Sequence, residues 1–505
     1  MKTTPTPASA AINSDAVKLV EALRVKLKAT LVETHISWVL LGAEFAWKIK
    51  KPVRLSFLDF GDLAKRQHLC EEELRLNRRL APTLYLDVLA IRGTPDDPSL
   101  EGDGPVIEYA LRMKRFAEGA LLSERLAAGQ LEPAQLDRLA QGLASFHRTA
   151  DVAPAHSPYG TARAIEETVL QVVDGLSQQG CAADCAVLHP WLKEQSRQLS
   201  DVWRQRKAEG QIREGHGDLH LANAVVLGEE VTAFDCIEFD PALRTIDVLS
   251  DVAFLVMDLL AHERPDLAFR FLNAYLDESG DQAGLPVLRY YLVYRALVRG
   301  LVARLSGHGK AADQPDYLAL ARRLTDPPDA RLLIMHGVSG SGKSVVAQQL
   351  LEHAQAIRLR SDVERKRLFG LQALDDSTGR GPGPSGVYEA EATRRTYARL
   401  RELAACVLSA GYRVIVDATF LRAADRADFH RLAKELRVPF TILHCHAPPE
   451  ILRERVHTRR ARGDDASEAD LSVLERQLVM CEPLLAPEQV CAITVDTVKP
   501  PEFDS

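Results

Sequence analysis

The sequence predicts two domains in tandem. The first is an α+β domain with a small β-rich lobe and a helical lobe, and the second is an α/β domain with a mostly parallel sheet. Short apolar runs that indicate strands dominate between residues 36 and 113, and helical patterns then dominate up to about residue 323. After a polar stretch, buried strand runs alternate with helical runs, as in a parallel sheet. A chain of 505 residues is long enough for two or three domains with buried cores.

Composition and charge exclude several classes of protein. Apolar and charged residues occur in ordinary proportions, and a net charge of −7 gives no overall attraction to nucleic acid or to membranes. The eight Cys residues form no CxxC pair, which is typical of a reducing cytosol, where isolated thiols act as small apolar residues. The initial MKTTPTPASAAINSD has no apolar segment of the kind found in signal peptides, and no run approaches the length of a membrane-spanning helix. We therefore expect a cytoplasmic protein.

Polar and helix-breaking stretches predict the domain boundaries. Gly, Pro and polar residues become frequent between residues 305 and 330, so we place the boundary near Asp326-Pro327-Pro328. The predicted divisions are a disordered tail at 1–14, a first domain at 15–325 with lobes at about 15–112 and 113–325, a second domain at 330–495, and a tail at 496–505.

The stretch HGDLHLANAVVLGEEVTAFDCIEFD, which begins at His216, contains the polar residues that chemistry in the first domain would need. Asp218 is followed five residues later by Asn223, and Asp235 comes after two short apolar runs separated by a turn. Those runs read as a hairpin, which would return Asp235 to the cleft that holds the other two side chains. Phosphoryl transfer from ATP requires such a set. One carboxylate orients the attacking hydroxyl and accepts its proton, while an amide oxygen and a second carboxylate hold Mg²⁺. The alternative is a polar loop whose side chains satisfy the backbone of a turn.

Two lysines on one strand are candidates for an ATP site in the β-rich lobe. The strand FAWKIK places Lys48 and Lys50 on the same face, and Lys48 is the preferred phosphate ligand. The alternative is a solvated edge strand that lysines protect against pairing with another chain. In the helical pattern HLCEEELRLNRRL, Glu73 lies on an apolar face and needs a partner, because an unpaired buried charge is costly. We expect it to pair with the strand lysine, the alternative being a surface pair along the helix.

The most specific motif in the chain is GVSGSGKS, which lies between a buried strand run, RLLIMH, and a helical run, VVAQQLLEHA. Strand, G-x-x-x-x-G-K-S and helix together are the context that a phosphate-binding loop requires. Its glycines let the backbone curl so that amides face the phosphates at a helix N-terminus, where the dipole favours anions. Lys343 would reach the β- and γ-phosphates, and Ser344 would bind Mg²⁺. The predicted nucleotide-binding residues are Gly337, Ser339, Gly340, Ser341, Gly342, Lys343 and Ser344.

Two further strand runs of the second domain end in acids. Asp362 follows AIRLRS, with Arg365 one helical turn later, and Asp417 ends the run RVIVD. In an open parallel sheet, ligands gather beyond the carboxyl ends of the strands, so both acids would lie beside Lys343. We expect Asp362 to accept a proton from a hydroxyl and Arg365 to hold an anionic acceptor. Asp417 would hold the water shell of Mg²⁺ or polarise the attacking group. Capping of a helix N-terminus is the alternative role of both acids.

An arginine-rich run, ILRERVHTRRAR at residues 451–462, reads as a helix and its end. A solvated basic face and an arginine-bearing lid over ATP are equally compatible with this pattern. Arg455 and Arg459 are the first candidates for the lid because they lie one helical turn apart.

Residues from roughly 15 to 325 resemble the aminoglycoside phosphotransferase family, whose fold is similar to that of protein kinases. HGDLHLAN corresponds to the catalytic loop of that family and FDCIEFD to its metal-binding Asp motif. The resemblance implies that Asp218 is the catalytic base and that Asn223 and Asp235 bind Mg²⁺. The segments THISWV, WKIKKPV and CEEELRLNRRLAP also look like a bacterial group of uncharacterised two-part proteins, in which such a domain precedes a P-loop domain. One departure from the family is that no glycine-rich loop precedes the lysine strand.

Residues 330 to 495 resemble small P-loop kinases, the group that includes polynucleotide 5′-hydroxyl kinases, gluconate kinases and zeta toxins. The matching segments are GVSGSGKS, SDVERKR, VIVDATF and the RERVHTRR run. The resemblance implies an α/β P-loop NTPase domain that binds ATP and Mg²⁺ and transfers phosphate, and it does not fix the acceptor.

Three functions are compatible with these patterns. The first is an ATP- and Mg²⁺-dependent phosphotransferase with two nucleotide sites and a small-molecule hydroxyl acceptor, such as a sugar or an aminoglycoside. The second is a nucleic-acid 5′-hydroxyl kinase in the second domain, which the short basic run supports only weakly. In the third, one domain binds ATP and regulates the other without catalysing a reaction. Because it has no glycine-rich loop, the first domain is the candidate for that role.

Overall fold

The structure, a computed structural model, describes residues 14–55, 58–305, 314–371, 390–462 and 469–499. The predicted tail at 1–14, except for Ser14, and most of the one at 496–505 lie outside this part of the chain. Within it, a β-rich lobe, a helical lobe and an α/β domain follow one another, so the predicted fold class is confirmed. None of the helices in these ranges is long and apolar enough to cross a membrane.

The β-rich lobe begins with a helix and holds a second helix between its strands. Its elements are α1 (Ser14–Lys26), β1 (Thr30–Glu33), β2 (Ser37–Leu41), β3 (Phe45–Lys50), β4 (Arg54–Leu55), β5 (Leu58–Asp59), α2 (Leu63–Asn77), β6 (Tyr85–Thr94), β7 (Asp97–Ser99) and β8 (Val106–Lys114).

An antiparallel sheet in the order β1-β2-β3-β8-β6-β7 forms this lobe. The apolar side chains of β2 and β3 alternate, so Trp38, Leu40 and Ile49 are buried on one face, where Leu19 and Leu23 of α1 cover them. The sequence does not predict β1, because its residues are mostly exposed and show no alternation. The strand forms because it pairs with β2 along its whole length.

The helical lobe carries the loop and hairpin predicted from HGDLHLAN onwards. Its elements are α3 (Leu122–Ala127), α4 (Pro133–Thr149), α5 (Ala162–Leu176), α6 (Ala182–Ala208), β9 (Ile212–Glu214), β10 (Ala224–Leu227), β11 (Glu230–Ala233), α7 (Pro241–Arg244), β12 (Thr245–Asp247), α8 (Val248–Ala261), α9 (Pro265–Ser279), α10 (Leu285–Leu305) and α11 (Tyr317–Arg323).

Helix α8 lies at the centre of the helical lobe. Every residue from Val248 to Leu259 is buried, so this helix is enclosed on all sides by its neighbours. Two acids, Asp251 and Asp258, are buried within it and must therefore find hydrogen-bond donors. They find them in the loop predicted to be catalytic, so the core helix fixes the position of that loop.

The second domain is an α/β domain whose five strands are all parallel, in the order β14-β15-β13-β16-β17. The chain moves from the central β13 to one side of the sheet and then crosses to the other, so the ends of β13 and its neighbours form a crevice. Its elements are β13 (Leu332–His336), α12 (Lys343–Ala354), β14 (Ala356–Arg360), α13 (Ser361–Leu368), α14 (Ala390–Ser409), β15 (Arg413–Asp417), α15 (Ala423–Leu436), β16 (Phe440–His446), α16 (Pro449–Arg462), α17 (Leu471–Met480), α18 (Ala486–Gln489) and β17 (Ala492–Asp496).

The two domains pack directly against each other. Helix α9 of the helical lobe contacts α12 and β14, and α10 contacts α14. Buried apolar residues of the helical lobe and of the second domain belong to one continuous core, which includes Leu272 on α9 and Leu351 on α12. Burial of apolar surface therefore holds the two domains together in this structure.

Two candidate active sites

Two buried acids of helix α8, Asp251 and Asp258, hold the HGDLHLAN loop in place. The carboxylate of Asp251 accepts hydrogen bonds from the backbone amides of His216 at 2.7 Å and Gly217 at 2.8 Å. That of Asp258 accepts from the amide of Leu221 at 3.0 Å. These buried, charge-assisted hydrogen bonds fix the backbone on both sides of Asp218.

His216 connects this loop to the segment that carries Asp235. Its Nδ1 accepts a hydrogen bond from the Asp218 amide at 3.2 Å, and its Nε2 donates to the carbonyl oxygen of Phe234 at 2.8 Å. Burial lowers the pKa of His216, against the opposing influence of the Asp251 carboxylate. A neutral imidazole matches this arrangement, because one ring nitrogen donates and the other accepts.

Asp218 and Asn223 lie in contact, as their spacing predicts. The Asn223 Nδ2 donates to the Asp218 carboxylate at 3.2 Å and to its backbone carbonyl at 2.9 Å. His220 Nε2 lies 3.5 Å from the same carboxylate. Burial acts to raise the pKa of Asp218, but His220 and Arg299 outweigh it and hold the pKa well below its usual range. The carboxylate is therefore ionised at neutral pH, as a proton acceptor must be.

Both strand lysines contact Glu73, so the predicted Lys48–Glu73 pair forms. Lys48 Nζ lies 2.8 Å from Glu73 Oε1 and 2.5 Å from Asp235 Oδ1. Lys50 Nζ lies 2.7 Å from Glu73 Oε2 and also contacts Glu238, and it is fully buried. Burial acts to raise the pKa of Glu73, but the two lysines outweigh it and hold the pKa at about 2. Lys48 thus joins Glu73 to Asp235, whereas Lys50 joins Glu73 to Glu238.

The hairpin β10–β11 returns the chain to the cleft, as predicted. The amide of Phe234, which follows it, donates to the Asn223 carbonyl at 3.0 Å. Asp235 then adopts a left-handed backbone with φ of +66°, and its amide donates to the hydroxyl of Tyr85 at 3.1 Å. Such a backbone costs a residue with a side chain about 1 kcal/mol, and strain of this kind concentrates at functional sites.

Replacing Glu73 by Gln is expected to destabilise the first domain. Both lysines would lose a buried carboxylate, although Asp235 and Glu238 would still neutralise them in part. Removal of one partner from a buried ion pair costs 3–5 kcal/mol, so we expect the free energy of unfolding to fall by about 2–3 kcal/mol. Urea unfolding at pH 7 measures the change. Glu71→Gln on the exposed face of the same helix is the matched control, and equal effects of the two changes would contradict a buried charge network.

The predicted phosphate-binding loop connects β13 to α12. Gly337, Gly340 and Gly342 have φ of +145°, +80° and +83°, a backbone that residues with side chains rarely adopt. A Cβ at Gly337 would lie 2.4 Å from the Cys445 carbonyl oxygen, and one at Gly340 would lie 2.7 Å from that of Leu452. Neighbouring backbone thus lies close to the loop at Gly337 and Gly340, and the Thr497 side chain lies close to it at Gly342.

A cavity of about 620 Å³ opens beside this loop, and most of the predicted site residues of the second domain line it. Lys343 is almost fully buried and its Nζ donates to the Val338 carbonyl at 2.8 Å. Burial lowers the pKa of this lysine, against the opposing influence of Asp417. Ser344, the next residue, is exposed to the cavity. The predicted residues on the cavity wall are Ser339, Gly340, Gly342, Lys343, Ser344, Asp362, Arg365, Asp417, Arg455 and Arg459.

On the far side of the cavity, Arg365 Nη1 lies 3.6 Å from Asp362 Oδ1. Tyr397, which the sequence does not single out, also lines the cavity. Its hydroxyl accepts a hydrogen bond from the Phe420 amide at 3.0 Å and lies 3.4 Å from the Thr419 hydroxyl. No local pattern points to Tyr397, because it reaches the site from the middle of the amphipathic helix α14.

Arg455 is held against the phosphate-binding loop and is not a solvated basic residue. Its Nη1 donates to the Thr497 hydroxyl at 2.9 Å, and its Nη2 donates to the Thr497 carbonyl at 2.7 Å. The Thr497 hydroxyl in turn donates to the Ser341 carbonyl at 2.9 Å. The second domain therefore extends beyond residue 495, where the sequence predicts its end. Arg459 donates to the carbonyl of Ala469 at 3.1 Å, which fixes the end of α16 beside the cavity.

His336, the last residue of β13, is expected to make the second domain sensitive to acid. Its Nδ1 lies 2.7 Å from Nδ1 of His444, and burial lowers its pKa to about 4, to which His444 and Arg426 also contribute. In the unfolded protein a histidine has a pKa of about 6.5, so between pH 6.5 and 4 the unfolded state binds a proton that the folded state does not. The stability of the fold is therefore highest above pH 6.5 and decreases as the pH falls towards 4. We expect the loss to reach about 1.4 kcal/mol per pH unit at most.

Urea unfolding at pH 7.0, 5.5 and 4.5 tests this expectation. The wild type should lose stability faster with falling pH than His336→Asn, so the difference between the two proteins should shrink. Parallel pH profiles would show that His336 does not carry the effect.

Comparison with known proteins finds relatives along most of the chain. Residues 332–484 match the family described as AAA domain. An uncharacterized protein of Mycobacterium tuberculosis (strain ATCC 25618 / H37Rv) is 30% identical over 449 residues, which cover 86% of this chain and 87% of that protein. A choline kinase from Cryptosporidium parvum Iowa II shares 11% identity, with 62% of this chain and 93% of that chain covered and a TM-score of 0.37. A gluconokinase from Sinorhizobium meliloti 1021 shares 22% identity, with 35% of this chain and 86% of that chain covered and a TM-score of 0.25. The mycobacterial match is too long to fit within either domain, so it extends across both.

Proposed function

We infer that this chain, which belongs to the same family as the uncharacterized mycobacterial protein, is an ATP- and Mg²⁺-dependent phosphotransferase with two nucleotide sites. The kinase-like and P-loop folds support a phosphotransferase. The observation that carries the proposal is the cavity of about 620 Å³, which is lined by Lys343, Asp362 and Asp417 among other residues. A space of this size suits a small molecule, so the acceptor is a hydroxyl group of a sugar or an aminoglycoside-like compound.

In the second site, the two sides of the cavity have different tasks. The amides of the phosphate-binding loop and Lys343 bind the β- and γ-phosphates of ATP. Asp362 orients the acceptor hydroxyl and accepts its proton, while Arg365 holds an anionic group of the acceptor. The bond from the acceptor oxygen to the γ-phosphorus forms as the bond from that phosphorus to the β,γ-bridging oxygen breaks, and ADP leaves.

In the first site, the same reaction uses different residues. Lys48, held by Glu73, contacts the phosphates of ATP. Asp218 lies on the loop that α8 fixes, and its ionised carboxylate accepts the proton of the acceptor hydroxyl. Fixing this carboxylate in advance lowers the cost of bringing the acceptor and the phosphate into line.

The donor atoms at both sites fit Mg²⁺, which prefers oxygen ligands. Asn223 donates through Nδ2 to Asp218, so its amide oxygen is left for a metal, and the half-exposed Asp235 supplies a carboxylate. In the second site, Ser344 supplies a hydroxyl oxygen and Asp417 a carboxylate. When bound, Mg²⁺ neutralises the charge that develops on the phosphates.

A second candidate function, in which the first domain binds ATP without transferring phosphate, has its own support. Strands β1 and β2 are joined by the short turn Thr34–Ile36, which closes with a hydrogen bond from Thr34 N to Ser37 O at 2.9 Å. A turn without glycine offers fewer amides to phosphates than a glycine-rich loop. Lys48 also lies 2.5 Å from Asp235, so ATP would have to compete with that carboxylate for the lysine.

A screen for labelled product tests the proposal. The protein, Mg²⁺ and ATP labelled at the γ-phosphate are incubated with sugars, aminoglycosides, nucleosides, and oligonucleotides that carry a free 5′-hydroxyl. We expect transfer to a small molecule, and none in the double variant Asp218→Asn/Lys343→Ala. Labelling of oligonucleotides alone, lost in Asp362→Asn and at high salt, would establish the nucleic-acid kinase instead.

A further inference from the structure

Strand β14 leads directly into the acceptor side of the second site, and it lies at an edge of its sheet. Within the described residues, β15 is the strand that pairs with it. The other edge of β14 is covered by Asn273, which lies on α9 of the first domain. Asn273 Nδ2 donates to the Ala356 carbonyl at 2.9 Å, and the Arg358 amide donates to Asn273 Oδ1 at 2.7 Å. One side-chain amide thus makes the pair of hydrogen bonds that a neighbouring strand would otherwise make.

Burial makes these hydrogen bonds costly to lose. Asn273 is only 2% exposed, and its Nδ2 also donates to the Phe269 carbonyl at 2.7 Å, which fixes the orientation of the amide. A buried backbone group without a partner is costly because it has lost its hydrogen bonds to water, so β14 depends on Asn273 for the hydrogen bonds of its outer edge.

The end of α9 holds the same strand and the helix that follows it. The Asp277 carboxylate lies 3.4 Å from Arg358 and 3.6 Å from Arg360, and its backbone carbonyl accepts a hydrogen bond from Arg367 at 2.7 Å. Gly280 ends α9 with φ of +75°, and a Cβ there would lie 2.8 Å from Arg367 Nε. Helix α9 therefore contacts the first and last residues of β14, and it contacts α13 near the C-terminal end of α13.

We propose that α9 positions the acceptor-side residues of the second site and that Asn273 is a positioning residue for the reaction at this site. Asp362 and Arg365 lie on α13, immediately after β14, and both line the cavity. The phosphate-binding loop follows β13, which β15 separates from β14. Asn273 therefore sets the place of the acceptor-side residues relative to bound ATP, and this role rests on the function proposed for the second domain.

The same helix also supports the first site, through Tyr275. The Tyr275 hydroxyl lies 2.9 Å from His147 Nδ1, and His147 Nε2 lies 3.3 Å from the Asp251 carboxylate. Asp251 holds the loop that carries Asp218. Helix α9 thus contacts supporting groups of both sites.

The change Asn273→Leu tests the proposal, since leucine has a similar size and makes none of the three hydrogen bonds. We measure the ATP hydrolysis that Lys343→Ala removes, and hydrogen exchange of the amides at 356–365. The turnover number is expected to fall about tenfold, while the KM for ATP stays within twofold, and exchange of these amides becomes at least tenfold faster. The matched control is Glu352→Gln, which removes an ion pair of 2.9 Å between Arg270 on α9 and α12 without touching β14. Both readouts should match the wild type in this control.

Each outcome of these measurements supports or contradicts the proposal. A tenfold rise in exchange with an unchanged turnover number would overturn it, as would a loss of ATP affinity as large as the loss of turnover. If Asn273→Leu does not fold, Asp277→Asn replaces it, with a threefold fall in turnover expected and no fall counting against the proposal. If the wild type neither hydrolyses ATP nor transfers labelled phosphate to any acceptor of the screen, the proposed function fails, and the exchange rates alone still show whether Asn273 holds β14.

Discussion

Replacing Lys343 by Ala is expected to lower turnover at the second site about 10³-fold. The lysine is nearly buried at the floor of the cavity, where its charge acts on phosphates in a medium that screens it little. Without it, the negative charge that develops during transfer of the γ-phosphate would lose a buried cation of the cavity wall. Transfer of labelled phosphate, or its release to water, measures the effect.

The control for this change is Lys434→Ala, which removes an exposed lysine from α15. It should leave turnover within twofold of the wild type. Thermal unfolding of both variants distinguishes lost chemistry from lost structure, because Lys343 also donates to the Val338 carbonyl. If Lys343→Ala keeps its full activity while remaining folded, the cavity beside the phosphate-binding loop is not where ATP reacts.

Asp218→Asn is expected to lower turnover at the first site by about 10²- to 10⁴-fold, the usual contribution of a general base. An amide keeps the shape of the carboxylate and its contact with Asn223, but it does not accept the acceptor's proton. The measurement is made in the Lys343→Ala background, where the remaining transfer comes from the first domain. The KM for ATP should change little, because Asp218 acts on the acceptor.

The matched control for the first site is Asp201→Asn, an exposed carboxylate on α6. It should have no effect on the remaining transfer. If the Lys343→Ala protein has no remaining transfer, or if Asp218→Asn does not reduce it, the first domain does not transfer phosphate. In that case the domain serves as the support and regulator of the second site, and α9 is the element through which it acts.

Local patterns in the sequence predicted the parts of the sites that lie close together along the chain. The glycines of GVSGSGKS were identifiable because their positive φ angles and the close approach of neighbouring backbone admit few other residues. Asp218 and Asn223 were identifiable because five residues of one loop fix their separation. Glu73 was identifiable because an acid on an apolar helix face requires a cation.

Other site residues gave no such signal. Thr497 comes after the last strand of the sheet, in a stretch that reads as a tail, and it reaches the phosphate-binding loop only because β17 lies beside β16. Tyr397 lies in the middle of an amphipathic helix, where an aromatic residue usually indicates a core position. His147 and Asp251 are 104 residues apart in the chain, so their contact depends on how α4 packs near α8.

The sequence by itself determined the order of the domains and their fold classes, and it predicted the acids, amides and lysines proposed for the two sites. It did so because periodicity, glycine requirements and unpaired charges are properties of neighbouring residues. Only the tertiary structure decided how these pieces meet. It gave Lys50 the partners Glu73 and Glu238, tied Thr497 to the phosphate-binding loop and set Asn273 against the edge of β14. The physical reason is that a buried polar group must be satisfied by whichever group the packing of distant elements brings within reach, and no pattern along the chain records that choice.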